Sequence, residues 1–427
     1  MKVKEFKQDI NNGFGKAIIF LKANQSITHK YFNAIFYACT HNTAYDPQCE
    51  SSREKYLIEI ISLSGLKDAL EKKIIETLIE TKKFNYDTSQ MLCLAKIFAK
   101  NGNAYARQAI YNKFLQSLKG NEYVGSNEIL ELDGEKGLLF IVNAVGERII
   151  ADQDYFEDDL LIKYAIEQFG EEKTMDLLNE EAQKNHPVKV YLEVINNYQT
   201  ETNNEKPLNK TYNEIKDQIS KKIISKFQLR FWGRKATQEE IEKAGNDLLE
   251  ENDHEKLISY LYIFSARDFP FKLDKILNAA KSGNEKLSSV AFRVLKRYKD
   301  VAIHDLAVEH IESGTINPEV LDLFEKNFFH SDLEYIEKVF YRDYNDFDYH
   351  GIGLSLIHIF EKYKTKKCLN MMVELYKNGR CSSCREWVID ILIDNKILPD
   401  WLAQECLYDC NFDIREKTSE YIKNSFG

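Results

Sequence analysis

The sequence predicts an all-α fold, and three observations carry that expectation. Apolar residues recur at i, i+3, i+4 and i+7 through most of the 427 residues, the spacing that gives a helix one apolar face. Only 6 prolines and 18 glycines are present, and they are read as falling between the periodic stretches, which leaves those stretches free to be helical. Strand-like alternation of apolar and polar residues is almost absent. A hydrophobic share of 44%, with 25 Phe and 24 Tyr, supplies a core despite 30% charged residues, so global disorder is excluded.

In chain order, "LEKKIIETLIE" (70–80), "TSQMLCLAKIFAK" (88–100) and "EKLISYLYIF" (255–264) are amphipathic helices. The stretch "LDGEKGLLFIVNAVGERI" (132–149) contains Gly134 and Gly137 but lacks the lysine and serine of a phosphate loop and the spacing of a dinucleotide loop. It reads as an apolar helix with Asp133 at its N-cap. Short stops separate the helices: "SLSGLK", "AKNGNA", "AKSGNE" and "ESGTINPE" supply Gly, Asn or Pro between antiparallel partners. Asn317 and Pro318 form an N-cap and first helical position, and Leu398 with Pro399 opens another helix in the same way.

Aligning helix starts on an arginine reveals repeats. "CESSREKYLIEII" (49–61), "GNAYARQAIYNKF" (102–114), "CSSCREWVIDILI" (381–393) and "CNFDIREKTSEYI" (410–422) share a polar turn, then Arg53, Arg107, Arg385 or Arg415, then an apolar helical face. A helical hairpin of this size cannot bury its apolar face alone and must stack on its neighbours, so the expected architecture is an α-solenoid, a superhelix of stacked antiparallel helix pairs. The pattern resembles HEAT and armadillo repeats, in which an Asp in the inter-helix turn is followed six residues later by an Arg preceded by a small apolar residue. Asp409, Ile414 and Arg415 match it; Asn101, Ala106 and Arg107 match with Asn for Asp; Asp46 and Arg53 are seven apart, with Ser52 in the apolar position. The set "GFGKAIIFLK", "AYDPQCESSRE", "LDGEKGLLF" and "RFWGRKAT" looks like bacterial HEAT-repeat proteins to which no activity is attached. One break divides the array: "NNYQTETNNEKPLNKTYNE" (196–214) is polar and aperiodic at its start. The expected organisation is a helical-repeat region over 1–199, a linker or long inter-repeat loop over 200–209 and a second helical-repeat region over 210–427.

The stretch "AYDPQCESSREKYL" (44–57) looks reactive, but the repeat alignment gives it a structural role. Asp46 accepts from turn N–H groups, Ser51 or Ser52 caps the next helix, and Arg53 reaches an acid in its own or the adjacent turn. "LYDCNFDIRE" (407–416) repeats the logic around Asp409 and Arg415. The eight cysteines are too sparse for a disulfide framework and are expected as thiols. Cys381 and Cys384 with Cys406 and Cys410 approach metal-finger spacing, but Cys384 aligns with the apolar Ile414 and the second pair is CxxxC. Core thiols are therefore preferred, and neither metal nor cofactor is expected. In "YRDYNDFDYHGIG" (341–353), Tyr344, Asp346 and Asp348 belong to an aromatic, acidic inter-repeat loop suited to a basic partner, without the ligand spacing of a calcium hand.

The net charge of −10 argues against general nucleic-acid binding. Residues 206–235 depart from it, with nine basic residues against two acidic ones. Lys222, Lys226, Arg230, Trp232, Arg234 and Lys235 there could form a binding edge with Phe227 and Phe231; the plainer reading packs Phe227, Phe231 and Trp232 inward under a solvated lysine face. No leader and no membrane span is expected, which predicts a cytoplasmic protein; that it is bacterial is what the resemblance implies. The function expected is that of a non-enzymatic scaffold binding another protein through a curved surface. The alternative is a nucleic-acid-binding or repair protein that resembles the HEAT-like alkylated-base glycosylases and uses 206–235 as its cationic face.

Overall fold

The computed structural model describes residues 1–24, 28–120, 122–152, 155, 157–202, 210–314 and 317–426. Among them are 25 α-helices, four short 3-10 helices and no strand, and no helix is long and apolar enough to cross a membrane. The helices form two compact units: Met1–Lys206 together with Asp400–Gly427, and Pro207–Pro399. The expected linker 200–209 lies outside the described residues from 203 onward.

Punctuation read from the sequence sets the helix ends. Asn85 Oδ1 accepts the Thr88 N–H at the start of Tyr86–Lys100, and Asn103 Oδ1 accepts the Ala106 N–H at the start of Ala104–Leu118. Between them Gly102 sits at φ 95°, a left-handed turn that glycine adopts without a Cβ clash. Thr211, Ser225 and Thr237 each close a capping box with Glu214, Gln228 and Glu240. Asn317 caps as expected, with its Oδ1 accepting the Glu319 N–H, but Pro318–Leu323 is a 3-10 helix.

In the second unit each repeat packs on the next. Lys226–Lys235 packs on His254–Phe264, that helix on Glu285–Leu295, then Pro318–Leu323, Asp346–Lys362 and Ser382–Asp394 in turn. Successive partners start about thirty residues apart, which is α-solenoid stacking. The polar pairs keep the same step. Arg297 pairs with Asp268 at 2.7 Å, Lys281 with Glu309 at 2.6 Å, Lys296 with Glu325 at 3.0 Å and Lys364 with Asp394 at 2.9 Å. Each such surface pair contributes well under about 1 kcal/mol, so burial of Leu261, Phe264, Phe292, Leu321, Leu356 and Val388 carries the stack.

The first unit follows the same logic and closes with the end of the chain. Phe412–Phe426 and the turn before it pack on the first helices: Cys410 N–H donates to Gly13 O at 2.8 Å, Arg415 Nη1 donates to Glu59 Oε2 at 2.9 Å, and Lys22 Nζ lies 3.9 Å from the Tyr408 ring centroid. Local periodicity gives no sign of this pairing, because it joins residues almost four hundred positions apart.

Glycines do not all lie between helices. Gly137, Gly146, Gly233, Gly245 and Gly353 are inside them. A Cβ at Gly146 would stand 2.0 Å from Pro187 O, so the missing side chain is what lets Ser126–Ala151 meet His186–Thr202. Ser126–Ala151 is itself two helices joined at Gly134 (φ 56°, ψ −128°). Asp133, expected to be an N-cap, instead lies within Ser126–Ala151 just before that joint, and its carboxylate receives the Arg107 and Tyr111 side chains, the latter donating its hydroxyl to Oδ2 at 2.5 Å.

Glu157 is buried, and neither carboxylate oxygen has a hydrogen-bond partner among the described residues. Burial pushes its pKa up to about 8, with Asp158 adding to the effect. A folded-state pKa above the unfolded value means that this group supports the fold fully below about pH 4.5 and loses that support as pH rises toward 8. Glu157→Gln is therefore expected to leave stability unchanged near pH 4 and to raise it above pH 8 by on the order of a few kcal/mol. Urea denaturation at the two pH values checks the difference.

Candidate functional site

The basic segment is where the structure departs most from the sequence reading. Lys226–Lys235 buries Leu229, Trp232 and Gly233, and Trp232 Nε1 donates to Lys210 O at 2.8 Å. A Cβ on Gly233 would stand 2.4 Å from Ile263 O, so the helix is pressed directly onto His254–Phe264. Two positions along a helix are about 200° apart, which sends Phe227 and Phe231 to the face opposite Leu229. Phe227 is 76% exposed and Phe231 48%, with Ile223 in the preceding turn at 68%. The expectation that all three aromatics face inward holds only for Trp232, and Trp232 is correspondingly no part of an exposed binding edge. Gly233 misled the reading, since a contact residue without a side chain carries no apolar signal.

Phe227 and Phe231 stack with ring centroids 6.4 Å apart. Cations lie on the same helix. Lys235 Nζ lies 4.4 Å from the Phe231 centroid, and Lys226 Nζ 5.3 Å from that of Tyr262. Lys222 is engaged by Glu255, whereas exposed Arg230 and Arg234 have no ion pair among the described residues. A groove of about 490 Å³ lies against the same helix, where Lys222, Lys226, Lys256, Lys286 and Arg293 face Glu255, Glu285 and Glu319. Acids therefore offset most but not all of its cations, whereas Arg230 and Arg234 beside the phenylalanines have no ion pair among the described residues.

The aromatic, acidic stretch 341–353 is a helix start and not a loop beyond Asn345. Asn345 Oδ1 accepts the N–H groups of Phe347 and Asp348 and opens Asp346–Lys362. Asp346 pairs with Arg380 at 2.7 Å, Asp348 accepts from Asn345 Nδ2 at 2.8 Å, and the Tyr344 hydroxyl donates to Val339 O at 2.9 Å. The three residues named from sequence thus serve helix capping and repeat pairing, while Phe347 is exposed.

Three of the four aligned arginines reach backbone carbonyls, whereas Arg107 pairs with the Asp133 carboxylate. Arg53 Nη2 donates to Glu50 Oε2 at 2.9 Å and Nη1 to Asn11 O at 2.7 Å, with both side chains buried. Asp46 accepts the Gln48 N–H at 3.0 Å. Neither Ser51 nor Ser52 caps the next helix: Glu54–Leu63 begins at Arg53 without a side-chain cap. Arg385 donates to the carbonyls of Gly379 and Arg380, and Arg415 to those of Tyr408 and Asp409, whose own Oδ1 accepts the Asn411 N–H. His41 stacks on Tyr37, and its Nδ1 lies 3.1 Å from both Thr40 Oγ1 and the Tyr37 carbonyl oxygen. These corners bind backbone, which is a structural task.

All eight cysteines are thiols. Cys381 and Cys384, one turn apart at the start of Ser382–Asp394, meet His350 from the neighbouring Asp346–Lys362, and the donor atoms of the three residues lie within 4.8 Å of one another. Cys384 Sγ is 3.4 Å from His350 Nε2. Cys406 and Cys410 belong to the other unit and are buried. Sequence spacing could not name His350 as the third member, because it is 31 residues upstream on a different helix. Comparison with known proteins finds no matching family model, no matching curated protein and no matching solved structure.

Proposed function

We propose that this chain is a non-enzymatic, HEAT-like helical-repeat scaffold that binds an acidic, amphipathic segment of another protein on the ridge formed by Ile223, Phe227 and Phe231. The observation that carries this reading is the pair of exposed, stacked phenylalanines with Lys235 over the Phe231 ring and exposed Arg230 and Arg234 on the same helix. Exposed aromatics cost solubility unless a partner covers them. Apolar side chains one helical turn apart match the face of a partner helix, and the cations on the same helix match acids on its flanks. A helix pressed by Gly233 against its neighbour presents that ridge on a rigid base, which lowers the entropy cost of binding.

The test uses three fluorescent probes: an acidic peptide helix with leucines at i and i+4, a single-stranded oligonucleotide and a DNA duplex. The peptide is expected to bind at low salt. Phe227→Ser with Phe231→Ser should weaken it by at least about tenfold, equivalent to about 1.4 kcal/mol, and Arg230→Glu with Arg234→Glu should remove its salt dependence. Binding of the oligonucleotide or duplex with none of the peptide selects the nucleic-acid reading, and binding of no probe rejects the ridge.

A further inference from the structure

We propose that His350, Cys381 and Cys384 form a zinc site that ties two successive repeats of the second unit together. This inference is independent of the ridge, since it rests on different residues and a different chemistry. Its basis is convergence. Cys381 is the residue preceding the helix Ser382–Asp394 and Cys384 is in its first turn, so a spacing of three puts both sulfurs on one side of the helix start. His350 comes from Asp346–Lys362, the helix on which Ser382–Asp394 packs. One imidazole nitrogen and two soft sulfurs with donor atoms within 4.8 Å suit a tetrahedral thiophilic ion.

The distances fit. Zinc bonds to sulfur at about 2.3 Å and to imidazole nitrogen at about 2.0–2.1 Å, so tetrahedral geometry separates S from N by about 3.6 Å. The Cys384 Sγ to His350 Nε2 separation is 3.4 Å. Both cysteines are 7% exposed, which shelters bound thiolates from oxidants. The first-turn N–H groups of Ser382–Asp394 favour negative charge beside them. The three residues fill three of four tetrahedral positions. Binding converts two thiols to thiolates and releases two protons to solvent, while neutral His350 donates through Nε2; no electron is transferred.

Sequence spacing alone favours a core role for these cysteines, and burial is compatible with both. What distinguishes them is the imidazole: a purely apolar core does not aim a ring nitrogen at a thiol. Zinc here would cross-link Asp346–Lys362 to Ser382–Asp394 and so rigidify the end of the second unit.

Cobalt titration of the metal-stripped, reduced full chain reads the site directly. The expected result is one equivalent of Co(II) with thiolate-to-metal charge-transfer absorption and intense tetrahedral visible bands, displaced by zinc. Cys381→Ser with Cys384→Ser should abolish the bands. His350→Asn, which leaves both thiols, should weaken binding by more than the roughly 10–100-fold that loss of an outer-shell partner costs. Cys93→Ser, a half-buried thiol elsewhere, should change nothing. Circular dichroism confirms that each variant folds. Absence of the bands in the wild-type chain, or their persistence in the double serine variant, would overturn the site. Zinc that leaves the alkylation rates of Cys381 and Cys384 unchanged in the wild-type chain would overturn it without relying on any variant.

Discussion

Arg53→Met is expected to destabilise the first unit by about 3–5 kcal/mol, the cost of breaking a buried ion pair from one side. The Arg53 and Glu50 side chains are 4% and 0% exposed, and the guanidinium also supplies Asn11 O and Thr43 Oγ1. Methionine fills much of the volume but takes the cation away from the buried Glu50 carboxylate, which keeps the Asp46 N–H at 2.8 Å, while the Asn11 carbonyl keeps only the Thr43 hydroxyl at 2.7 Å. A shift of the urea midpoint measures the loss. Glu50→Gln combined with Arg53→Met should recover part of it, because the double variant removes the uncompensated charge; equal loss in single and double variants would assign the effect to packing instead. The result also tests the view of 44–57 as a structural corner: a reactive site would lose its chemistry with little effect on stability.

Gly15→Ala should cost about 3 kcal/mol, the upper end of the range for overpacking. Its Cβ would stand 2.0 Å from Glu405 O and 3.1 Å from the Tyr408 carbonyl carbon, and a backbone obstacle cannot swing aside as a side chain can. The backbone at Gly15 is ordinary (φ −60°, ψ −21°), so the penalty reports crowding and not dihedral strain. Relief requires Asp400–Cys406 and the turn after it to move off the first helices. Hydrogen exchange of the Cys410 amide, which donates to Gly13 O at 2.8 Å, should accelerate in this variant. Unchanged protection there, with the midpoint also unchanged, would show that the end of the chain does not pack on Gly15 as described.

Both substitutions act where sequence reading gave unequal guidance. The polar turn and Arg53 stood out through repetition at Arg107, Arg385 and Arg415; Arg53 finds the expected acid in its own turn, Glu50, whereas the carbonyls that Arg53, Arg385 and Arg415 also reach were not part of that expectation. Gly15 gave no such signal. A glycine needed for close approach looks the same in sequence as one needed for a turn, and Gly102 and Gly233 illustrate the two cases. The ridge was half legible: composition located the cations, but the wrong helical face was assigned to Phe227 and Phe231 because Gly233 takes a place in the buried seam. The thiol and imidazole cluster was legible only as its CxxC half.

Helicity, the ends of several helices and the recurrence of hairpins can be read from the residues alone. Those properties are set by neighbours three or four residues apart, through apolar spacing, capping side chains and turn residues, so they are written locally. Only tertiary structure decided that residues 400–427 pack on the first helices, which aromatics remain exposed, and that His350 meets Cys381 and Cys384. Each of these depends on which repeat stacks on which, and stacking is fixed by the fit of whole apolar faces that no local pattern encodes.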